Sequence, residues 1–150
     1  MNYKYKITVF TATYNREHTL KVLYSSLVNQ TFKDFEWLIV DDGSSDDTKQ
    51  LVKKFIEENE LNINYHYKNN GGKHRAINLG VKLAQGELFF IVDSDDYIVE
   101  QALQTIRDVY SEVKPDPVNG FYSFEVVFFV VYLVEDAVIV FVLANGIVEL

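Results

Sequence analysis

The chain has no cysteine, two prolines and a single methionine among its 150 residues. Without cysteine it can form neither a disulfide nor a zinc–thiolate centre, and a reducing compartment suits it. Both common phosphate-loop signatures are missing. No G-x-x-x-x-G-K-[ST] occurs, because Gly72-Lys73 is followed by His74 and position 67 is Tyr. No G-x-G-x-x-G follows the first strand-like run, which argues against a dinucleotide fold. Positive charge is absent after Lys114, where the remaining charges are Asp116, Glu125, Glu135, Asp136 and Glu149. The net charge of −8 argues against non-specific binding to DNA or RNA, which needs clustered Lys and Arg. The stretch Met1-Asn2-Tyr3-Lys4-Tyr5-Lys6 lacks the apolar segment and cleavage site of a signal peptide. The expectation is a cytoplasmic location, free or peripheral at the inner face of the membrane.

What is present suits one soluble domain: 48% hydrophobic and 24% charged residues, in a length sufficient for a core. Ile7–Thr11 is β-branched and strand-like, and Ala12-Thr13-Tyr14-Asn15 turns out of it. Leu20, Leu23, Tyr24, Leu27 and Val28 then recur at helical spacing over about 17–29. A second strand over Phe35–Val40 leads into Asp41-Asp42-Gly43-Ser44, and Leu51, Val52, Phe55 and Ile56 mark a second helix. Ser44 with Asp47 resembles a capping box for it. Ile63–Tyr67 alternates as a third strand, Lys68-Asn69-Asn70-Gly71-Gly72 reads as a flexible loop, and Ala76–Leu83 carries a third helix stopped by Gly86. Residues 87–92 form a fourth strand and 98 to about 113 a fourth helix. This β-α-β-α-β-α-β-α order predicts an α/β fold, a mostly parallel sheet flanked by helices.

The fourth strand ends in Asp93-Ser94-Asp95-Asp96. In an extended backbone residues two apart point the same way, so Asp93 and Asp95 converge, and two such carboxylates call for a cation between them. A hard ion such as Mg2+ binds through one or two carboxylates and completes its shell with phosphate oxygens. Taken alone, D-x-D is short enough to be an acidic turn capping the next helix. Ligands of parallel sheets, however, sit at the carboxyl ends of the strands. There the chain offers Thr13-Tyr14-Asn15, Asp41-Asp42, Asn69-Asn70-Gly71-Gly72-Lys73 and Asp93–Asp96. Together they suit a nucleotide diphosphate held partly through a metal. Tyr14 would supply an aromatic face and Asp42 an acceptor for the base; Asp93 and Asp95, with Lys73 and Arg75, would serve the diphosphate. Each segment also has a plainer reading: a D-G turn, a solvated loop, and structural histidines at 18, 66 and 74. A phospho-acceptor receiver domain would use the acids and the lysine but leaves Tyr14-Asn15 and the double glycine without a task.

In order and spacing, Thr13-Tyr14-Asn15-Arg16, Ser26–Phe32, Phe35–Asp46, Asn70-Gly71-Gly72-Lys73, Ala76–Gly80, Ala84-Gln85-Gly86-Glu87 and Asp93-Ser94-Asp95-Asp96 closely resemble family 2 glycosyltransferases of the GT-A fold. The resemblance covers roughly residues 6–112. It implies a Rossmann-like GT-A domain over 1–114 that takes a nucleotide-diphospho-sugar, most often UDP-linked, with Mg2+ or Mn2+. Thr13, Tyr14, Asn15 and Asp42 would hold the uridine, Asp93 and Asp95 would hold ribose and metal, and Ser94 would belong to the same nucleotide-sugar site. The implied reaction is inverting transfer to the hydroxyl of a saccharide or lipid-linked acceptor in polysaccharide or glycoconjugate synthesis.

Two departures stand out: Ala12 replaces the proline common before Thr-Tyr-Asn, and the usual acceptor-binding half is shortened to a tail, 115–150. Pro115–Gly120 reads as a linker, and the apolar runs Phe124–Val134 and Ala137–Leu143 as strands of an extra β-rich piece of the same globule. A membrane helix there would bury Glu135-Asp136 in lipid. That acid pair, through Asp136, is the candidate for the catalytic base, and the lysine-free tail could pair with a second copy edge to edge. The alternative function is a truncated, non-catalytic nucleotide-sugar-binding domain.

Overall fold

The computed structural model describes residues 3–113, 127–131 and 138–144. Along it run β1 (Tyr5–Thr13), α1 (Glu17–Val28), β2 (Phe35–Asp41), α2 (Thr48–Glu58), β3 (Ile63–Tyr67), α3 (Lys73–Leu83), β4 (Gly86–Ile91), α4 (Ala102–Val113), β5 (Val127–Val131) and β6 (Val138–Ala144). The sheet order is β3-β2-β1-β4-β6-β5. The first four strands pair in parallel, with β1 between β2 and β4. The chain therefore winds one way from β1 to β3 and then crosses back, and the switch point lies between β1 and β4. That is where a crevice opens in sheets of this kind.

Strand alternation decides which side chains meet which helices. On one face Trp37, Ile39 and Phe90 pack with Leu20, Leu23 and Leu27 of α1, Leu51, Val52 and Phe55 of α2, and Leu103 and Ile106 of α4. On the other, Phe10, Leu38, Val40 and Phe89 pack with Ala76 of α3. Burial on both faces accounts for the unbroken apolar runs of β2 and β4. The Trp37 Nε1–H, deep in the first cluster, donates to Thr11 Oγ1 at 3.0 Å.

Four local expectations need correction. The Ser44/Asp47 capping box does not form: Asp47 makes no side-chain cap, and Asp46 accepts the Thr48 amide instead. Gly86 does not stop α3, which ends at Leu83 with Ala84 as its cap; Gly86 begins β4. Its reason is proximity, since a Cβ there would lie 2.3 Å from the Thr8 nitrogen. The buried Glu36 carboxylate sits beneath this contact, accepting from the Thr8 hydroxyl and the Gln85 amide, both at 2.7 Å. The fourth helix starts at Ala102 rather than 98, because Gln30 at the end of α1 captures the intervening segment. The Gln30 amide nitrogen donates to Val99 O at 2.8 Å and its oxygen accepts the Leu103 N–H at 3.1 Å. Finally, β4 ends at Ile91, and Asp93–Asp96 forms a turn closed by Asp96 N–H to Asp93 O. Strand alternation therefore does not orient Asp93 and Asp95.

At the far edge β6 pairs antiparallel with β4, and β5 with β6. The expected linker at 115–120 and the pair Glu135-Asp136 lie outside the described residues. No helix among the described residues is long and apolar enough to cross a membrane.

Gly80 of α3 rests on the Phe10 ring, and a Cβ there would fall 2.2 Å from it. Phe10 is fully buried and stacked on Phe89, with centroids 5.1 Å apart, so it cannot yield. Gly80→Ala gains about 1 kcal/mol of helix propensity but incurs overpacking of about 1–3 kcal/mol. The expected result is net destabilisation in chemical denaturation. A stabilised variant would mean that α3 sits further from the sheet.

Candidate functional site

The carboxyl ends of β1, β2 and β3 and the turn after β4 meet on one edge of the sheet. Its centre is Asp42, directly after β2 and 4% exposed. The Asp42 amide donates to Thr13 O at 2.8 Å, which fixes it to the end of β1. Its carboxylate accepts the Gly71 N–H at 3.0 Å, the Gly72 N–H at 2.7 Å and the Lys68 ammonium. Burial alone would raise the Asp42 carboxyl; the bonds from Lys68, Gly72 and Gly71 outweigh it and hold the group below the ordinary carboxylate range. Asp42 is therefore a fixed anion. The segment 68–72, expected to be a flexible loop, is folded around it.

Asp41 supports the same turn from behind, accepting the Ser44 N–H at 2.8 Å and the Tyr65 hydroxyl at 2.6 Å. Burial and that bond to Asp41 raise the Tyr65 hydroxyl pKa, so it remains a proton donor. Gly43 turns the chain with φ +90, and a Cβ would come 2.7 Å from the Asn70 amide nitrogen. Asn15, in the left-handed region at φ 53, locks onto the turn: its N–H donates to Ser44 Oγ and its Oδ1 accepts the Ser45 N–H. Asn and Asp tolerate that conformation better than other non-glycine residues. Asp46 joins the starts of two helices by accepting the Glu17 and Thr48 amides. Burial would raise its carboxyl, and these bonds bring it below the usual range.

Of the residues singled out in the sequence, Tyr14 is half exposed beside this frame. Thr13 is buried, and its Oγ1 has no hydrogen-bond partner among the described residues. Ser94 is buried. Lys73, the first residue of α3, donates to both Asp93 carboxylate oxygens at 2.7 and 2.8 Å. Arg75 is exposed and its side chain runs past Gly71. Asp95 faces Arg16, 3.8 Å away. Asp93 and Asp95 are thus each set against a different cation. Asp136 lies outside the described residues.

The sequence alone assigns no individual part to Lys68, Arg16, Asp41 or Gln30. A lysine preceding a double glycine could have been paired with the acidic turn, but the Asp42 contact spans 26 positions and no local pattern announces it.

The described residues contain no cluster of three or more His, Asp or Glu arranged to hold a metal. The donors at Asp93 and Asp95 are hard oxygens, 44% and 52% exposed. They fit Mg2+ or Mn2+ whose remaining ligands come from a substrate, not an ion caged by protein.

The family model for glycosyl transferase family 2 matches residues 8–121. Glycosyltransferase GlyG of Streptococcus pneumoniae is 33% identical over 117 residues, covering 77% of this chain and 38% of its own. The poly(ribitol-phosphate) beta-N-acetylglucosaminyltransferase TarS of Staphylococcus aureus is 39% identical over 124 residues, covering 77% of this chain and 22% of its own. The structure of S. aureus TarS 1-349 in complex with UDP-GlcNAc superposes with a TM-score of 0.67 at 38% identity, covering 71% of this chain and 31% of that one. A Pyrobaculum calidifontis mannosyltransferase in complex with GDP-Man and Mn2+ does so with 0.63 at 25% identity, covering 77% and 34%. The chain spans between about a fifth and two fifths of the length of the two curated relatives. With the Rossmann-like GT-A sheet and its polar edge in place, these matches establish that the chain belongs to glycosyl transferase family 2.

Proposed function

We propose that this chain takes a UDP-linked sugar and, with an acceptor half, transfers it with inversion to a saccharide or lipid-linked hydroxyl. One observation carries the reading: Tyr14-Asn15, Asp42, Lys73 and Asp93–Asp95 come from four separate strand ends and converge on one edge. The UDP-GlcNAc in the TarS structure and the GDP-Man with Mn2+ in the mannosyltransferase support a nucleotide-diphospho-sugar as the ligand class.

In this reading the exposed face of Tyr14 stacks on the base, while Asn15, Thr13 and Asp42 shape the uridine pocket. The Asp42 carboxylate, already oriented by Gly71, Gly72 and Lys68, accepts the base N–H without reorganising. Asp93 and Ser94 meet the ribose, and Lys73 and Arg75 meet the phosphates. Asp95 with Asp93 would hold Mg2+ or Mn2+, and the chemistry such an ion supplies is neutralisation of charge on the departing diphosphate. In the transfer the acceptor oxygen bonds to the anomeric carbon as the bond to the phosphate oxygen breaks. The acceptor proton passes to a carboxylate base, the part assigned to Asp136. A second reading is binding of the nucleotide sugar without transfer. Sugar release to an acceptor separates the two.

Calorimetric titration with UDP is expected to show binding strengthened by Mn2+ and weakened at least about tenfold by Asp95→Ala, the scale of one lost charged contact. No UDP binding to the folded protein would contradict the assignment. Tyr14→Ala should lower UDP affinity by about 1–3 kcal/mol, the range for base–aromatic stacking. An unchanged affinity would remove Tyr14 from the pocket.

A further inference from the structure

The charged contacts of the edge fall into two kinds. Around Asp42 the acceptor is buried and two of its three partners are backbone amides, so the contact cannot be exchanged without moving the chain. At the end of β4 the opposite holds. The four side chains Lys73, Asp93, Arg16 and Asp95 are between 44% and 58% exposed, and each pair joins two solvent-facing side chains with no backbone group in the contact. Ion pairs of this sort are individually weak and screened by salt.

Lys73 donates to both oxygens of Asp93, the lone pairs that a divalent ion would need. Its ammonium also carries the same sign as the ion, as does Arg16 at Asp95. An ion arriving alone must displace Lys73 into water and then sit beside two cations. An ion arriving with a diphosphate meets neither difficulty, because the phosphate oxygens accept the displaced ammonium and guanidinium. We propose that Lys73, assisted by Arg16, is an exchangeable counter-ion. It holds Asp93 until a divalent ion and a nucleotide diphosphate bind, and it then transfers to the phosphate, making the two ligands bind synergistically. By linkage, the factor by which UDP improves the ion's affinity equals the factor by which the ion improves that of UDP. The inference rests on the nucleotide-diphosphate reading of this edge.

The test follows free Mn2+ by electron paramagnetic resonance, with and without UDP, for the wild type, Lys73→Met, Arg16→Met and an Asp93→Asn control. Calorimetry gives the UDP affinities, and thermal melting checks the fold. Lys73→Met should bind Mn2+ alone about two- to five-fold tighter, the range for freeing one exposed ion pair, while binding UDP more weakly. The improvement that UDP gives to Mn2+ should shrink by at least the same factor. Arg16→Met should move both quantities in the same directions by less. Opposite signs for the two ligands identify exchange, since a damaged fold weakens both. Mn2+ binding in Lys73→Met that is no tighter than in the wild type, or a UDP effect that persists in full, overturns the counter-ion role and leaves the nucleotide site standing. A folded wild type that binds UDP with no Mn2+ dependence, or binds neither ligand, overturns it as well; in the second case the nucleotide reading falls with it.

Discussion

Two glycine amides and a lysine converge on the Asp42 carboxylate, and the shape of the polar edge depends on that convergence. Asp42 is buried, so leaving its charge unmatched would cost several kcal/mol. The segment 68–72 must fold over it to supply the donors. This places Lys73 at the start of α3, opposite the turn after β4. A second tie, from the Asp42 amide to Thr13 O, joins the turn carrying Tyr14 and Asn15 to the same centre. Three of the four polar strand ends are therefore tied together by one residue, through its backbone amide to β1 and through its carboxylate to the segment after β3.

The fourth, Asp93–Asp96, is anchored differently. Gln30 and Ser26 at the end of α1 hold the chain after it through Val99, Leu103 and Ile98, while the carboxylates of Asp93 and Asp95 face the exposed cations Lys73 and Arg16. The backbone is fixed and the charges are free to change partners. That division suits a site in which one end of a ligand is recognised by shape and the other by charge that must be rearranged on binding.

Much of this was legible in the sequence. The helix α1 follows from Leu20, Leu23, Tyr24 and Leu27, all buried, and the parallel order follows from alternation of strand and helix patterns. The grouping of Tyr14-Asn15, Asp42, Lys73 and Asp93–Asp95 followed in turn from the rule for parallel sheets. The misses share a physical cause. Gln30 to Leu103, Thr8 to Gly86 and Asp42 to Gly72 are contacts between residues 73, 78 and 30 positions apart. Local periodicity carries no trace of them. Glycine signals both a helix stop and a loose loop in sequence, while at Gly86 and in the segment 68–72 its use is close approach and amide donation.

The central claim is that Asp42 preorganises the edge before any ligand arrives. Amide hydrogen exchange at Gly71 and Gly72 in the ligand-free protein, compared with Asp42→Ala, tests it directly. Both amides should be protected in the wild type and lose that protection in the variant while the strands β1 and β2 remain protected. Exchange of both glycines at the rate of an open loop in the wild type would contradict the claim.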